Sequence, residues 1–131
     1  MLKHWEDFCI PFDSKQVMRP RVSLSPKGII SINRIAFEML GEPEAVILMF
    51  DRINSLIGLR PGPTKFEHAF PLVSPNKSGL GKIVRGKKFC NYYQIFLDHT
   101  IVFNRLTKEG DILVLSLKDA MEYRRPAVAD R

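Results

Sequence analysis

Cysteine, histidine and tryptophan are scarce in this sequence. Among 131 residues there are two cysteines, three histidines and one tryptophan. His4, His68 and His99 lie far apart, and none stands with Cys, Asp or Glu at a metal-site spacing, so no metal site is expected. Two cysteines without a secretion signal are more typical of free thiols than of a disulfide, so Cys9 and Cys90 are predicted to be unpaired.

Long apolar segments are also missing. The longest unbroken hydrophobic run covers residues 45–50, whereas a membrane-spanning helix needs about 20 apolar residues. The opening sequence MLKHWEDFCIPF is charged and aromatic and lacks the apolar stretch of a signal peptide. We therefore expect a cytoplasmic location and no association with membranes.

Catalytic and nucleotide-binding motifs are not found. The sequence GLGK at residues 79–82 lacks the spacing of a phosphate-binding glycine-rich loop, and no G-x-S-x-G nucleophile elbow is present. Cys90 stands beside aromatic residues on a presumed helix, where a small buried residue is a better interpretation than a nucleophile. The sequence therefore predicts neither an enzyme nor a bound cofactor.

Positive charge is what the sequence has in excess. It carries 20 Lys and Arg against 14 Asp and Glu, a formal charge of +6. Glu67 is the only acid in residues 65–88, which contain the bases Lys65, Lys77, Lys82, Arg85, Lys87 and Lys88. A basic surface attracts polyanions, of which nucleic acid is the commonest in cytoplasm. A solvated face that keeps the protein soluble would look the same, and both interpretations stay open.

Residues 22–61 have the most regular pattern. Ile30 and Ile32 alternate with polar residues, which predicts a half-buried strand paired across a turn with the strand near Val22. Asn33 is a suitable N-cap, and Gly41 is a suitable end for a helix of roughly two turns. The apolar runs AVILMFD and SLIGLRP then predict a second hairpin.

This order of elements resembles the swapped-hairpin SpoVT/AbrB domain of bacterial and archaeal transition-state regulators and antitoxins. The matching positions are Gly28, Ile30, Ile32, Leu40 and Gly41. The resemblance covers residues 22–61 and implies a swapped-hairpin barrel that binds DNA and regulates transcription. The chain departs from the family pattern at Ile29, where DNA-binding members often carry arginine, and at Asn33, where proline is usual.

The second half of the chain repeats the order of the first. Residues 82–85 are predicted to form a strand and residues 88–95 a helix, and HTIVFNRL and DILVLSLKD flank a turn at residues 108–110. Duplication and convergence of pattern both explain this order, and the sequence does not choose between them. If it is a duplication, the arrangement resembles the tandem AbrB-like fold of MraZ-type proteins.

The sequence thus predicts an α+β, mostly β fold built from two strand–helix–hairpin units. We divide the chain into an N-terminal arm (1–20) whose aromatics pack on the body or on a partner, one globular domain (21–118, with units 21–61 and 66–118) and a polar tail (119–131). The two units are predicted to share one core, because neither can cover its own apolar faces. Its predicted members are Ile30, Ile32, Leu40, Val46, Leu48, Ile57, Leu59, Phe89, Tyr93, Val102, Leu113 and Leu115.

Two classes of function remain. The first is a DNA-binding regulator or antitoxin-like protein that contacts duplex DNA through basic loops and strands. Its predicted contacts are Arg19, Arg21, Lys27 and Arg34 in the first unit and Lys82, Arg85, Lys87 and Lys88 in the second. The second class is a non-enzymatic interaction or assembly module, which Ile29 favours. The partners expected for this chain are DNA and further copies of itself in a homo-oligomer.

Overall fold

Ten strands and two short helices form the part of the chain described by the structure, a computed structural model in which residues 3–7, 19–75, 81–103 and 105–123 are described. The strands are β1 (Val22–Leu24), β2 (Ile29–Ile32), β3 (Ala45–Asp51), β4 (Leu56–Gly62), β5 (Ala69–Pro71), β6 (Lys82–Arg85), β7 (Ile101–Phe103), β8 (Leu106–Glu109), β9 (Ile112–Ser116) and β10 (Ala120–Glu122). The helices are α1 (Arg34–Met39) and α2 (Lys87–Tyr92). The predicted mostly β class is confirmed.

The strands form two antiparallel five-stranded sheets. Sheet A has the order β10-β7-β1-β2-β6, and sheet B has the order β5-β3-β4-β9-β8. Each sheet contains strand pairs that join the two halves of the chain. Ile30 of β2 pairs with Val84 of the edge strand β6 in sheet A, and Ile57 of β4 pairs with Leu115 of β9 in sheet B. Neither sheet closes on itself in the described ranges, so the swapped-hairpin barrel remains a prediction.

One hydrophobic core contains side chains from both sheets and both helices. Nine of the twelve predicted members are buried in it: Ile30, Ile32, Leu40, Val46, Ile57, Leu59, Phe89, Leu113 and Leu115. Leu48 and Tyr93 pack against the core while partly buried. The prediction for Val102 is wrong, because this residue pairs with Ser23 between the inward-facing Val22 and Leu24, and its neighbour Phe103 enters the core instead.

The first unit folds as its sequence predicts. Gly28 has φ +79° and donates its N–H to the Ser25 carbonyl (2.9 Å), which closes the turn between β1 and β2. Asn33 caps α1, with its Oδ1 accepting the Ala36 N–H at 2.9 Å. Gly41 follows the helix with φ +84°, the left-handed conformation expected after a helix end. The predicted hairpin of β3 and β4 is present in full.

A single carboxylate organises the β3–β4 turn. Asp51 Oδ1 accepts the N–H groups of Ile53 and Asn54, each at 3.0 Å, and its Oδ2 accepts the Asn54 side-chain amide at 2.8 Å. The side-chain bond from Asn54, followed by the backbone bonds, lowers the pKa of Asp51. The turn therefore has a fixed shape although it projects into solvent.

The second unit repeats the spacing of the first. A four-residue strand, one cap residue and a six-residue helix occur in both units. Both helices also end alike. Gly41 and Gln94 have positive φ, and the N–H of the residue after each donates a hydrogen bond to the carbonyl five residues earlier. One difference is that β2 turns its second and fourth residues to the core, whereas in β6 the third, Val84, is fully buried. Helix α2 starts one residue earlier and ends three residues earlier than the predicted range of residues 88–95.

Three boundary predictions need comment. HTIVFNRL was predicted as the first strand of the last hairpin, but it divides between β7 in sheet A and β8 in sheet B. The predicted tail boundary falls just before β10, which pairs with β7. In the predicted arm Trp5 is 85% exposed, so it does not pack on the body. The predictions for Cys9, for the arm aromatics Phe8 and Phe12, and for Lys77 fall on residues outside those that the structure describes.

Candidate nucleic-acid interface

The eight predicted DNA contacts fall into two groups at opposite ends of the β2/β6 pair. Ile29 of β2 pairs with Arg85, and Ile32 pairs with Lys82, so the two ends are about 10 Å apart along the strands. The α2-end group consists of Lys27, Arg85, Lys87 and Lys88. The α1-end group consists of Arg19, Arg21, Arg34 and Lys82. The structure therefore does not bring all eight residues to one point.

The α2-end group is assembled by a close backbone contact between the two units. Gly86 donates its N–H to the Gly28 carbonyl at 2.8 Å. A Cβ atom on Gly28 would lie 2.7 Å from the Lys87 Cα and 2.9 Å from its N, which is closer than atoms of this kind can approach. Because Gly28 has no side chain, the turn that carries Lys27 lies against the first residue of α2.

Strand alternation places Arg85 on the outer face of sheet A. Its neighbour Val84 is fully buried, so the Arg85 side chain points away from the core. Its cross-strand partner Ile29 also faces outward. The guanidinium of Arg85 and the ammonium groups of Lys27 and Lys87 are therefore presented around the same junction.

The α2-end cations have few counter-charges. All four side chains are exposed, and none takes part in an ion pair within the described residues. The first turn of α2 has no acidic residue, and its N-cap Gly86 supplies no side-chain bond. Lys88 has an acidic residue nearby, because it borders an open groove of about 560 Å³ that Glu67 and His68 also line. In the part of the chain that the structure describes, no ion pair offsets the positive charge of this end.

Contacts inside the protein already occupy two cations of the α1-end group. Arg34 Nε is 3.0 Å from Glu38 Oε2. Lys82 Nζ donates to Ser74 Oγ at 2.9 Å and lies 5.3 Å from the centre of the Phe37 ring. Lys82 shares the inner face of sheet A with its partner Ile32, which explains why its charge lies over α1 rather than on the outer surface.

The other two α1-end arginines are tied to Asn33 and Tyr123. Asn33 Oδ1 accepts the Arg21 N–H at 3.0 Å, and its Nδ2 donates to the Arg19 carbonyl at 2.6 Å. The Arg21 guanidinium lies 5.4 Å from the centre of the Tyr123 ring. The sequence predicted Asn33 as an N-cap, but these links to residues 19–21 are long-range contacts that no local pattern reveals.

Sequence reasoning missed Arg52 as a member of the basic surface. It lies in the β3–β4 turn, and its guanidinium is 5.1 Å from the centre of the Tyr93 ring just after α2. The aromatic side of α2 was predicted, but nothing in the sequence indicated that a turn of the first unit would contact it. Arg52 thus adds a cation on the side of α2 that carries Tyr93.

The buried thiol of Cys90 lies behind this surface. Burial raises the pKa of Cys90, and the nearby charge of Lys87 lowers it to a smaller extent. Cys90 is a free cysteine in the core. The side chain therefore remains a neutral thiol at pH 7, in agreement with its prediction as a small core residue.

The outer face of sheet B is mostly apolar. It displays residues that alternate with the core members of three strands: Ile47, Met49, Leu56, Gly58, Ile112 and Val114. Because Gly58 has no side chain, a depression of about 180 Å³ forms there between Met49, Ile112 and Val114. Arg60, Asp51 and Glu109 are the charged residues on this face. The face is a second candidate surface, without catalytic groups.

Some features are absent from the described part of the chain. Within it, no three His, Cys, Asp or Glu side chains are grouped as a metal site would require. None of the helices described has the length and apolar character needed to cross a membrane. Comparison with protein-family profiles, curated proteins and solved structures found no match for this chain.

Proposed function

We propose that this protein binds duplex DNA and acts as a transcriptional regulator or antitoxin-like protein, with the α2-end group as its main contact. The observation that carries the proposal is the junction at Gly28 and Gly86, which brings together exposed cations from two chain segments that form no ion pair with any described residue. Holding like charges together opposes stability, and phosphates would relieve that repulsion.

The chemistry of each side chain suits this role. Lysine ammonium groups at Lys27, Lys87 and Lys88 would contact phosphates and fix the protein on the duplex without reading sequence. Arg85 would be able to donate two hydrogen bonds to the edge of a guanine as well as contact the backbone. The α1-end residues would contribute less, because Arg34 and Lys82 would first have to leave Glu38 and Ser74.

An AbrB-like relationship is part of the same proposal. It is supported by the pairing of β2 with β6 and of β4 with β9, and by the common strand–cap–helix spacing of the two units. In this view the two units of one chain take the place of two chains, and duplication accounts for the repeated order. The chain's departure at Ile29 is compensated by Arg85, its cross-strand partner.

The test is an electrophoretic shift with genomic fragments at two salt concentrations. Each neutralised phosphate contributes about -0.9 to the slope of log affinity against log salt, so Lys87→Gln with Lys88→Gln should flatten the slope by up to about two units. Binding should weaken for every sequence alike, while folding stays intact or improves slightly, because cations at a helix N-terminus oppose its dipole.

Two double variants control for the loss of charge. Lys108→Gln with Lys118→Gln removes the same charge from exposed positions outside both groups, and Arg34→Gln with Lys82→Gln removes it from the α1 end. Both should change the slope less than the α2-end variant does. Equal slopes for all three would show a diffuse attraction and remove the proposed contact surface.

An assembly module is the second candidate function, favoured by the apolar outer face of sheet B. The partner that we propose for it is a second copy of this chain, since the face carries Arg60 as well as the acidic Asp51 and Glu109, and an antiparallel approach of two copies would pair opposite charges. Light scattering after size-exclusion chromatography should then show a dimer that Met49→Glu dissociates. Met121→Glu, at another exposed methionine, is the control. A monomeric parent protein would eliminate this candidate.

A further inference from the structure

The last residue of α2 presents an aromatic ring to solvent. Tyr92 is 73% exposed, although an aromatic ring of this size usually gains stability by burial. Lys88 lies one helical turn earlier, so the two side chains share a face of α2. The proposed duplex contact through the α2-end group makes no use of this ring.

A packed cluster holds Tyr92 in place. Its ring centre is 4.9 Å from that of Tyr93, with the planes at 84°. Tyr93 is itself 4.9 Å from Phe50 and 5.1 Å from Phe89, which is buried in the core. Tyr92 is therefore the outermost ring of a cluster that reaches into the core.

Cations lie beside both tyrosines of this cluster. Arg52 reaches Tyr93 from the β3–β4 turn, with its guanidinium 5.1 Å from the ring centre, and that turn is fixed by the bonds of Asp51. Lys88 flanks Tyr92 from the helix, and Lys87 joins it to the α2-end group. Glu67 is the acid that shares a groove with Lys88, and it forms no ion pair with it within the described residues.

We propose that Tyr92 is a stacking platform for an unpaired base, so that the nucleic acid bound by this protein includes a single-stranded or locally opened segment. An exposed aromatic ring beside cations is the combination that binds single strands, because a base stacks on the ring while the cations contact the adjoining phosphates. Inside a duplex the base faces are covered by their neighbours, so the ring has no face to bind. The inference rests on the proposed nucleic-acid function and adds the kind of strand that is bound.

The experiment measures fluorescence anisotropy with three labelled probes of equal length: an oligothymidylate, a duplex and an abasic single strand. Tyr92→Leu should weaken oligothymidylate binding about 5- to 150-fold, the range for loss of one stacked base. It should leave duplex and abasic binding unchanged, because their phosphate contacts remain. Tyr92→Phe keeps the ring and should retain the parent affinity.

Phe66→Ala supplies a matched control, because Phe66 is an exposed ring on the sheet B side, next to Gly62 and Ile47. Two results would overturn the stacking role. One is that Tyr92→Leu and Phe66→Ala lose the same affinity for the oligothymidylate. The other is that Tyr92→Leu binds the oligothymidylate as tightly as the parent protein does. If duplex binding with its salt slope persists in that case, the proposed function stands alone. If no probe binds the parent protein, the proposed function fails and this inference fails with it.

Discussion

Replacing Gly28 by alanine tests the contact that assembles the α2-end group. The new methyl group would require a left-handed conformation at φ +79°, which costs a non-glycine residue about 1–2 kcal/mol. It would also lie 2.7 Å from the Lys87 Cα. Backbone shifts forced by such overpacking typically cost about 1–3 kcal/mol. The expected loss in the free energy of unfolding is therefore about 2–5 kcal/mol.

Gly41→Ala and Gly110→Ala separate the two contributions. These glycines also have positive φ, +84° and +64°, but a Cβ atom on either would meet nothing within 4 Å. Each should lose only the conformational cost of about 1–2 kcal/mol. The excess loss in Gly28→Ala then measures the steric cost of the approach to Lys87.

Urea denaturation followed by circular dichroism gives the three free energies of unfolding. If Gly28→Ala loses no more stability than Gly110→Ala, the turn and α2 are not held together as described, and the assembly of Lys27 beside Lys87 is refuted. With the predicted excess, duplex binding by Gly28→Ala should fall more than binding by Gly110→Ala, because only the former displaces the cations.

Two further predictions concern side chains that fix loops. Asn33→Ala should lower the free energy of unfolding by about 1–3 kcal/mol, since a cap contributes about 1 kcal/mol and two more hydrogen bonds anchor residues 19–21. Asn33→Asp keeps the cap acceptor but not the donor to the Arg19 carbonyl, so it should lose less stability in the same urea assay. The pKa of Asp51 is lowered in the folded state, so its stabilising effect is present above its ordinary value of 3.8 and is lost as pH falls through the folded value. The stability difference between parent and Asp51→Ala should therefore shrink below about pH 4, and a difference that grows with acid would contradict this sign.

Local patterns predicted the elements of the first unit and much of the core. Asn33 and Gly41 are local signals for the start and end of a helix, and the structure bears both out. The split of HTIVFNRL was not predictable in this way, because the separation of β7 from β8 depends on a pairing of β7 with β1 that lies far away in sequence. Val102 was misassigned for the same reason.

The grouping of the cations also exceeded what sequence could provide. The sequence predicted Lys27, Lys82 and Lys87 alike as DNA contacts, because it shows only that each is a cation. The contact at Gly28 brings Lys27 and Lys87 together, whereas strand alternation turns Lys82 toward Phe37. Both outcomes depend on the register of β2 against β6, and that register is fixed by packing across the core rather than by either strand alone.

The joining of both sheets through pairs between the two units has a consequence for synthesis on the ribosome. The first unit is synthesised first and contains the core residues Val46, Ile57 and Leu59. One edge of its strand β4 has no partner strand until β9 is synthesised. β2 likewise waits for β6. Until the second unit leaves the exit tunnel, the nascent chain displays an open strand edge and an uncovered apolar face, the combination that favours aggregation. Most of the chain must therefore be synthesised before either sheet can be completed, and a truncated first unit would need the second supplied as a separate fragment to fold.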